Sequence, residues 1–229
     1  MAANTELGWY GKLPVAGDFL HRHMPEPLVA SWSNWFKLGV TQWQQSHNGC
    51  SEAFSRAPVW NFVLPATLGV QKIQIGCLMP SRDRVGRIWP LLATQNVPVP
   101  HWSSVQLPFA GEWFHALGAV LQQAVSTQST ILELEQAMDH LAPLPRTGQI
   151  VTDHPHQHAS LAWEEVSRRF DPLQYTSYWW TNQSDGYPLV KHKHSGNLTA
   201  QLFTQLFHPA IAEKSGRRGL YPPMFDQTD

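Results

Sequence analysis

Charge is scarce in this chain: Asp, Glu, Lys and Arg make up 14% of its 229 residues, against about a quarter in an ordinary soluble domain. Its 16 basic and 17 acidic residues leave a formal net charge of −1, so no field of one sign exists to gather nucleic acid or an anionic membrane surface. Cysteine is scarcer still. Cys50 and Cys77 are too few for a disulfide framework, and Cys77 lies inside an apolar run, which predicts buried free thiols in a reducing compartment. No run approaches the ~18 apolar residues of a membrane span. The opening "MAANTELGWYGKLP" lacks both the basic and the apolar region of a secretory signal. These absences predict a cytoplasmic protein with no membrane insertion and no nucleic-acid partner. Internal repeats and a linker between two cores are missing too, which predicts one domain over 1–208 and a mobile tail over 209–229.

What the chain does have is apolar bulk. Hydrophobic residues reach 42%, and eleven are tryptophan. Each such ring can bury ~150–250 Å², so a few of them determine much of a core. From Leu28, the residues Leu28, Val29, Trp32, Trp35, Phe36, Gly39, Val40 and Trp43 recur at helical spacing. A tryptophan stripe of this kind reads as a core-facing helix rather than a ligand site.

"ELGWYGKLP" reads as a first strand, followed by turn residues in "VAGDF". "PVWNFVLP", "VQKIQIGCLMP" and "RIWPLLATQNV" read as three more strands. Their connections, through Pro65 and "ATLG" and then through 81–87, are too short for parallel crossovers and predict antiparallel neighbours. "AGEWFHALGAVLQQAV" is patterned as a helix, and so is "STQSTILELEQAMDHL", with Ser129 or Thr130 as N-cap and Glu133 completing a capping box with Thr130. A Pro/His/Gln-rich loop covers 144–160. "TSYWWT" and "YPLVKHK" then read as strands around "NQSDG", before the amphipathic helix "LTAQLFTQLF". The predicted fold is α/β: a single three-layer α/β/α domain around a mixed, largely antiparallel sheet.

The densest charge group is "PSRDRVGR", with Arg82, Asp83, Arg84 and Arg87. As structure, Asp83 can cap the turn and pair with Arg84 or Arg87 while Gly86 supplies an unusual backbone angle. As function, guanidinium forks at a strand end suit a phosphate or an acidic partner surface. The structural reading is the stronger. Lys12 in "GKLP" does not belong to a phosphate loop, because no glycine stands five residues before Gly11 and Leu13 replaces the hydroxyl. Asp18 in "AGDF" reads as a turn residue rather than a catalytic carboxylate. His154, His156 and His158, with His192 and His194, lack the paired cysteines that usually accompany closed zinc sites, and a solvated loop suits the first three better. Ser81 lacks a nucleophile elbow, and Cys77 within a strand should be inert. No catalytic residue, metal site or cofactor is expected.

Several segments together resemble the TagF (ImpM) family of type VI secretion accessory proteins. They are "GWYGKLPVAGDFL", "WSNWF", "PVWNFVL" and "GCLMPSRDRVGRIWPL", with weaker likeness in "SYWW" and "GNLTAQLFTQLF". The chain departs from that pattern at Arg82, at Trp89 and in "GNL", and the stand-alone form, without the phosphatase domain fused to some members, is expected. The resemblance implies a compact α/β/α fold and a cytoplasmic, non-enzymatic accessory factor. It implies post-translational restraint of assembly or firing, with a forkhead-associated scaffold of the threonine-phosphorylation pathway as protein partner. The polar centre of the partner surface is then expected at Lys12, Asp18, Arg82, Asp83, Arg84 and Arg87. Within it, Asp18 or Asp83 would brace the fold through Arg87, leaving Arg82 or Arg84 for the partner. Two readings compete with this one: a nucleotide- or phosphate-binding switch or enzyme using the arginines, and a purely structural baseplate component.

Overall fold

The computed structural model describes residues 7–48, 51–145, 164–182 and 188–208. Its strands are β1 (Leu7–Gly11), β2 (Leu20–Arg22), β3 (Trp60–Leu64), β4 (Ile73–Arg82), β5 (Ile88–Val97), β6 (Thr176–Asn182) and β7 (Pro188–Ser195). They form one seven-stranded sheet in the order β2-β1-β5-β4-β3-β6-β7. The sheet expected to be mixed and largely antiparallel is antiparallel at every described pairing. Helices α1 (Glu26–Ser46), α2 (Ser51–Ser55) and α6 (Ala200–Leu206) cover one face. Helices α3 (Gly111–Ser126), α4 (Ile131–Asp139) and α5 (Glu164–Arg169) cover the other.

Strand alternation divides the apolar residues between two cores. In β4, Ile73, Ile75, Cys77 and Met79 point to the α3 side, and Leu78 points to the α1 side. Gln74 shares that second face, where its side-chain oxygen accepts the Trp32 indole N–H at 2.8 Å. Cys77 is buried as expected, and burial pushes its thiol pKa up. Cys50 lies outside the described residues.

Helix α1 buries the stripe read from spacing: Leu28, Trp32, Trp35, Phe36, Gly39, Val40 and Trp43. It opens with Pro25 at the N-cap and Glu26 in its first turn, and Asn48, in the left-handed region at φ 50°, follows its end. Thr130 is the N-cap of α4, and its capping box with Glu133 is complete. In α6 the polar groups are held by rings from elsewhere. The Trp35, Trp60 and Trp43 indoles donate to the carbonyls of Thr199, Leu206 and Phe207 at 2.8, 2.8 and 2.9 Å.

The second link differs from expectation. Strand β4 runs on through Pro80 and Ser81 to Arg82, leaving 83–87 as the turn. Pro80 faces Pro90 across the β4–β5 ladder. Both prolines lie beyond the flanking strands, since β3 pairs β4 only as far as Leu78 and β1 pairs β5 only as far as Leu91. A residue without an N–H costs nothing there, because no outer neighbour asks for one. At that level the sheet narrows to a two-stranded ribbon. The histidines at 154–158, the turn at 183–187 and the tail at 209–229 lie outside the described residues.

Candidate functional site

The ribbon ends in a turn that its own residues specify. Asp83 N–H donates to the Arg87 carbonyl at 3.1 Å, and Gly86 N–H donates to the Asp83 carbonyl at 2.9 Å. Gly86 has φ 84°, a conformation that a residue with a Cβ adopts only with strain. Asp83 Oδ1 accepts the backbone N–H groups of Val85 and Arg87 at 3.1 and 2.9 Å. This is the local carboxylate-to-backbone bonding that makes aspartate a turn residue.

The second carboxylate oxygen reaches further. Asp83 Oδ2 accepts Lys12 Nζ at 2.8 Å and Arg87 Nε at 2.6 Å. The Asp83 side chain is fully buried, and Lys12 is only 5% exposed. Burial alone would raise the Asp83 pKa. The Lys12 hydrogen bond and the Arg87 backbone and side-chain hydrogen bonds outweigh it, holding the carboxyl well below the usual carboxylate range.

Around this knot the 12–19 loop is tied to the ribbon at several points. Ser81 Oγ donates to the Lys12 carbonyl at 2.7 Å, Arg84 N–H donates to the Ala16 carbonyl at 2.9 Å, and Arg87 Nη2 donates to the Gly17 carbonyl at 3.0 Å. The Lys12 ammonium lies 4.8 Å from the Phe19 ring centroid and 6.0 Å from that of Trp89. Phe19 and Trp89 themselves meet edge-on at 4.8 Å.

Of the six residues expected at the polar centre, the structure joins Lys12, Asp83 and Arg87 directly. The brace is Asp83, not Asp18, which is exposed on the loop. The two arginines expected to be left for a partner differ in exposure. Arg82 is half-buried, engages a neighbour and lines a shallow cleft with Ser51, Glu52, Ser55, Gly86 and Ile88, whereas Arg84 is exposed. Sequence reasoning missed Phe19 and Trp89 as the aromatic seat of the Lys12 ammonium. The available signal was aromatic residues standing beside both charged motifs.

Ser81 and Asp83 are spent on structure. The hydroxyl of Ser81 donates to a carbonyl, and every oxygen of Asp83 is bonded. Among the described residues, no three His, Cys, Asp or Glu side chains converge on a point that could hold a metal ion. On β7, His194 Nε2 bonds the Asn197 carbonyl at 2.8 Å, and burial, aided by His194, lowers the His192 pKa. Also among the described residues, no helix is long and apolar enough to cross a membrane.

A family model described as the TagF N-terminal domain, type VI secretion system-associated, matches residues 8–141. That stretch contains the whole knot. Among solved structures, the fold is similar to the crystal structure of PA0076 from Pseudomonas aeruginosa PAO1. The TM-score is 0.69 at 21% sequence identity, over 88% of this chain and 93% of that one. At that identity the likeness speaks for the fold. Comparison with curated proteins gives no match.

Proposed function

The chain belongs to the TagF N-terminal domain family, which is associated with type VI secretion, and from that premise we propose a cytoplasmic, non-enzymatic regulator. In this reading it restrains assembly or firing of the apparatus by holding the forkhead-associated scaffold protein. The observation that carries the reading is the saturation of Asp83, whose two oxygens take four hydrogen bonds. A general base needs a lone pair open to a substrate proton, and a pKa near the working pH. Asp83 has neither. What the knot does is hold a charged turn rigid at the end of a ribbon, a property suited to recognition by another protein.

Two measurements test this reading. The purified chain should bind the purified scaffold protein, and its overproduction should reduce type VI secretion. Arg84→Glu should weaken both effects without changing the melting temperature, since Arg84 is exposed. Failure to bind the scaffold removes the proposed partner. A saturable rise in melting temperature with a nucleotide would favour the phosphate-binding alternative, because a ligand of the folded state stabilises it.

A further inference from the structure

The turn displays apolar surface as well as charge. Phe19 and Val85 are 51% and 68% exposed, although both belong to tightly bonded segments. Phe19 is steadied from beneath by the Lys12 ammonium and the edge of Trp89. Val85 is fixed through its N–H on Asp83 Oδ1, and its neighbour Arg84 through its N–H on the Ala16 carbonyl. A main chain fixed this way loses little freedom on binding, and aromatic and arginine anchors on a rigid base are the usual hot spots of interfaces.

The local charge points to the occupant. Lys12, Arg82, Arg84 and Arg87 stand against Asp18, Asp83 and Glu52, which lines the cleft with Arg82, and the balance is a net positive end on a chain whose net charge is −1. We propose that this surface docks an acidic segment of a partner protein. Its carboxylates meet Arg84 and the outer edge of Arg87, and adjoining aliphatic side chains cover Phe19 and Val85. The inference rests on the reading of the turn as partner-facing and adds the chemistry of the bound segment. Carboxylates fit better than a phosphate dianion. Arg87 already shares its charge with Asp83, and an exposed acidic residue, Asp18, directly follows Gly17, whose carbonyl holds Arg87.

The test is fluorescence anisotropy with short labelled peptides tiled through the scaffold and, separately, through the other cytoplasmic proteins of the apparatus. Each acidic binder is paired with its Asn/Gln analogue and with an analogue carrying phosphoserine in place of the carboxylates. An acidic, aliphatic peptide should bind, and its amide analogue should not. Arg84→Glu should weaken binding ~10-fold or more, and salt should weaken it as well. Phe19→Ser and Val85→Ser should each weaken it several-fold, while Phe19→Leu, which keeps the apolar contact, restores it. Binding of acidic peptides from a protein other than the scaffold upholds the inference and removes the scaffold as partner. Intact scaffold bound equally well by all these variants upholds the scaffold reading and overturns the inference. The inference also falls if no acidic peptide binds, or if the phosphoserine analogue binds better than the carboxylate.

Discussion

Asp83 joins two distant stretches of chain through one carboxylate, and its two cationic partners are not equivalent. Lys12 is buried with it, whereas the Arg87 side chain is 65% exposed. Removing one member of a buried pair leaves a charge without compensation, at a cost of ~3–5 kcal/mol. An exposed partner is already screened by water, and its loss costs ~0–1 kcal/mol. Lys12→Met should therefore destabilise far more than Arg87→Ala in urea melts, although both residues touch the same oxygen. The pH dependence follows from the same carboxylate. Its folded pKa lies below the unfolded one, so its stabilisation is complete above the unfolded value and is lost as pH falls towards the folded one. Asp83→Asn should lower the melting temperature at neutral pH, and the gap to wild type should close progressively below about pH 4. The Asp83–Arg87 pair was open to sequence reasoning, because a carboxylate and a guanidinium four residues apart flank a glycine turn. The Lys12–Asp83 pair was not, since 71 residues separate its members and no local periodicity connects them.

At the scale of elements, α1 and α6 approach each other tightly at Gly39. A Cβ built on Gly39 would lie 2.1 Å from Cγ and 2.6 Å from Cβ of Phe203. The clash reaches the Phe203 Cβ, so turning the ring cannot relieve it and one helix must move. Gly39→Ala gains ~1 kcal/mol of helix propensity but loses ~1–3 kcal/mol to overpacking. The exposed Gly-to-Ala benefit is thus reversed, and a melting temperature lower by up to ~5 °C is expected. Gly17→Ala, where an added Cβ meets nothing within 4 Å, should show no such loss. The long elements were legible because the stripe of α1 and the alternation of β4 repeat often enough to establish a period. Elements such as β2 (Leu20–Arg22) and α2 (Ser51–Ser55) span three and five residues, less than two helical turns, and carry no period to read. In β4 the proline at position 80 reads as a stop. Only the strand order reveals that the outer edge there is vacant, so that the strand can continue.

For the whole molecule, hairpin pairings such as β3–β4, β4–β5 and β6–β7 follow from short connections, but β1–β5 and β3–β6 join strands far apart in sequence. The pairing of β6 with β3 sets an autonomy limit on the region matched by the family model. That region ends at 141, whereas β6, β7 and α6 lie beyond it. A chain ending at 145 would leave β3 as a bare edge, strip Trp179 and Phe203 from the α1-side core, and deprive the Trp35, Trp43 and Trp60 indoles of their acceptors. Each large apolar side chain whose burial is lost gives up ~1.5–3 kcal/mol. Those losses alone compare with the ~5–15 kcal/mol by which a domain is stable. The exposed tryptophan stripe adds an apolar patch of the kind that drives association. The truncated chain should therefore aggregate or form a molten state, with strong dye binding and little near-ultraviolet circular dichroism. A soluble fragment with sharp, cooperative melting would overturn this view. It would mean that the α3-side core and the ribbon carrying Asp83 fold without the last two strands of the sheet.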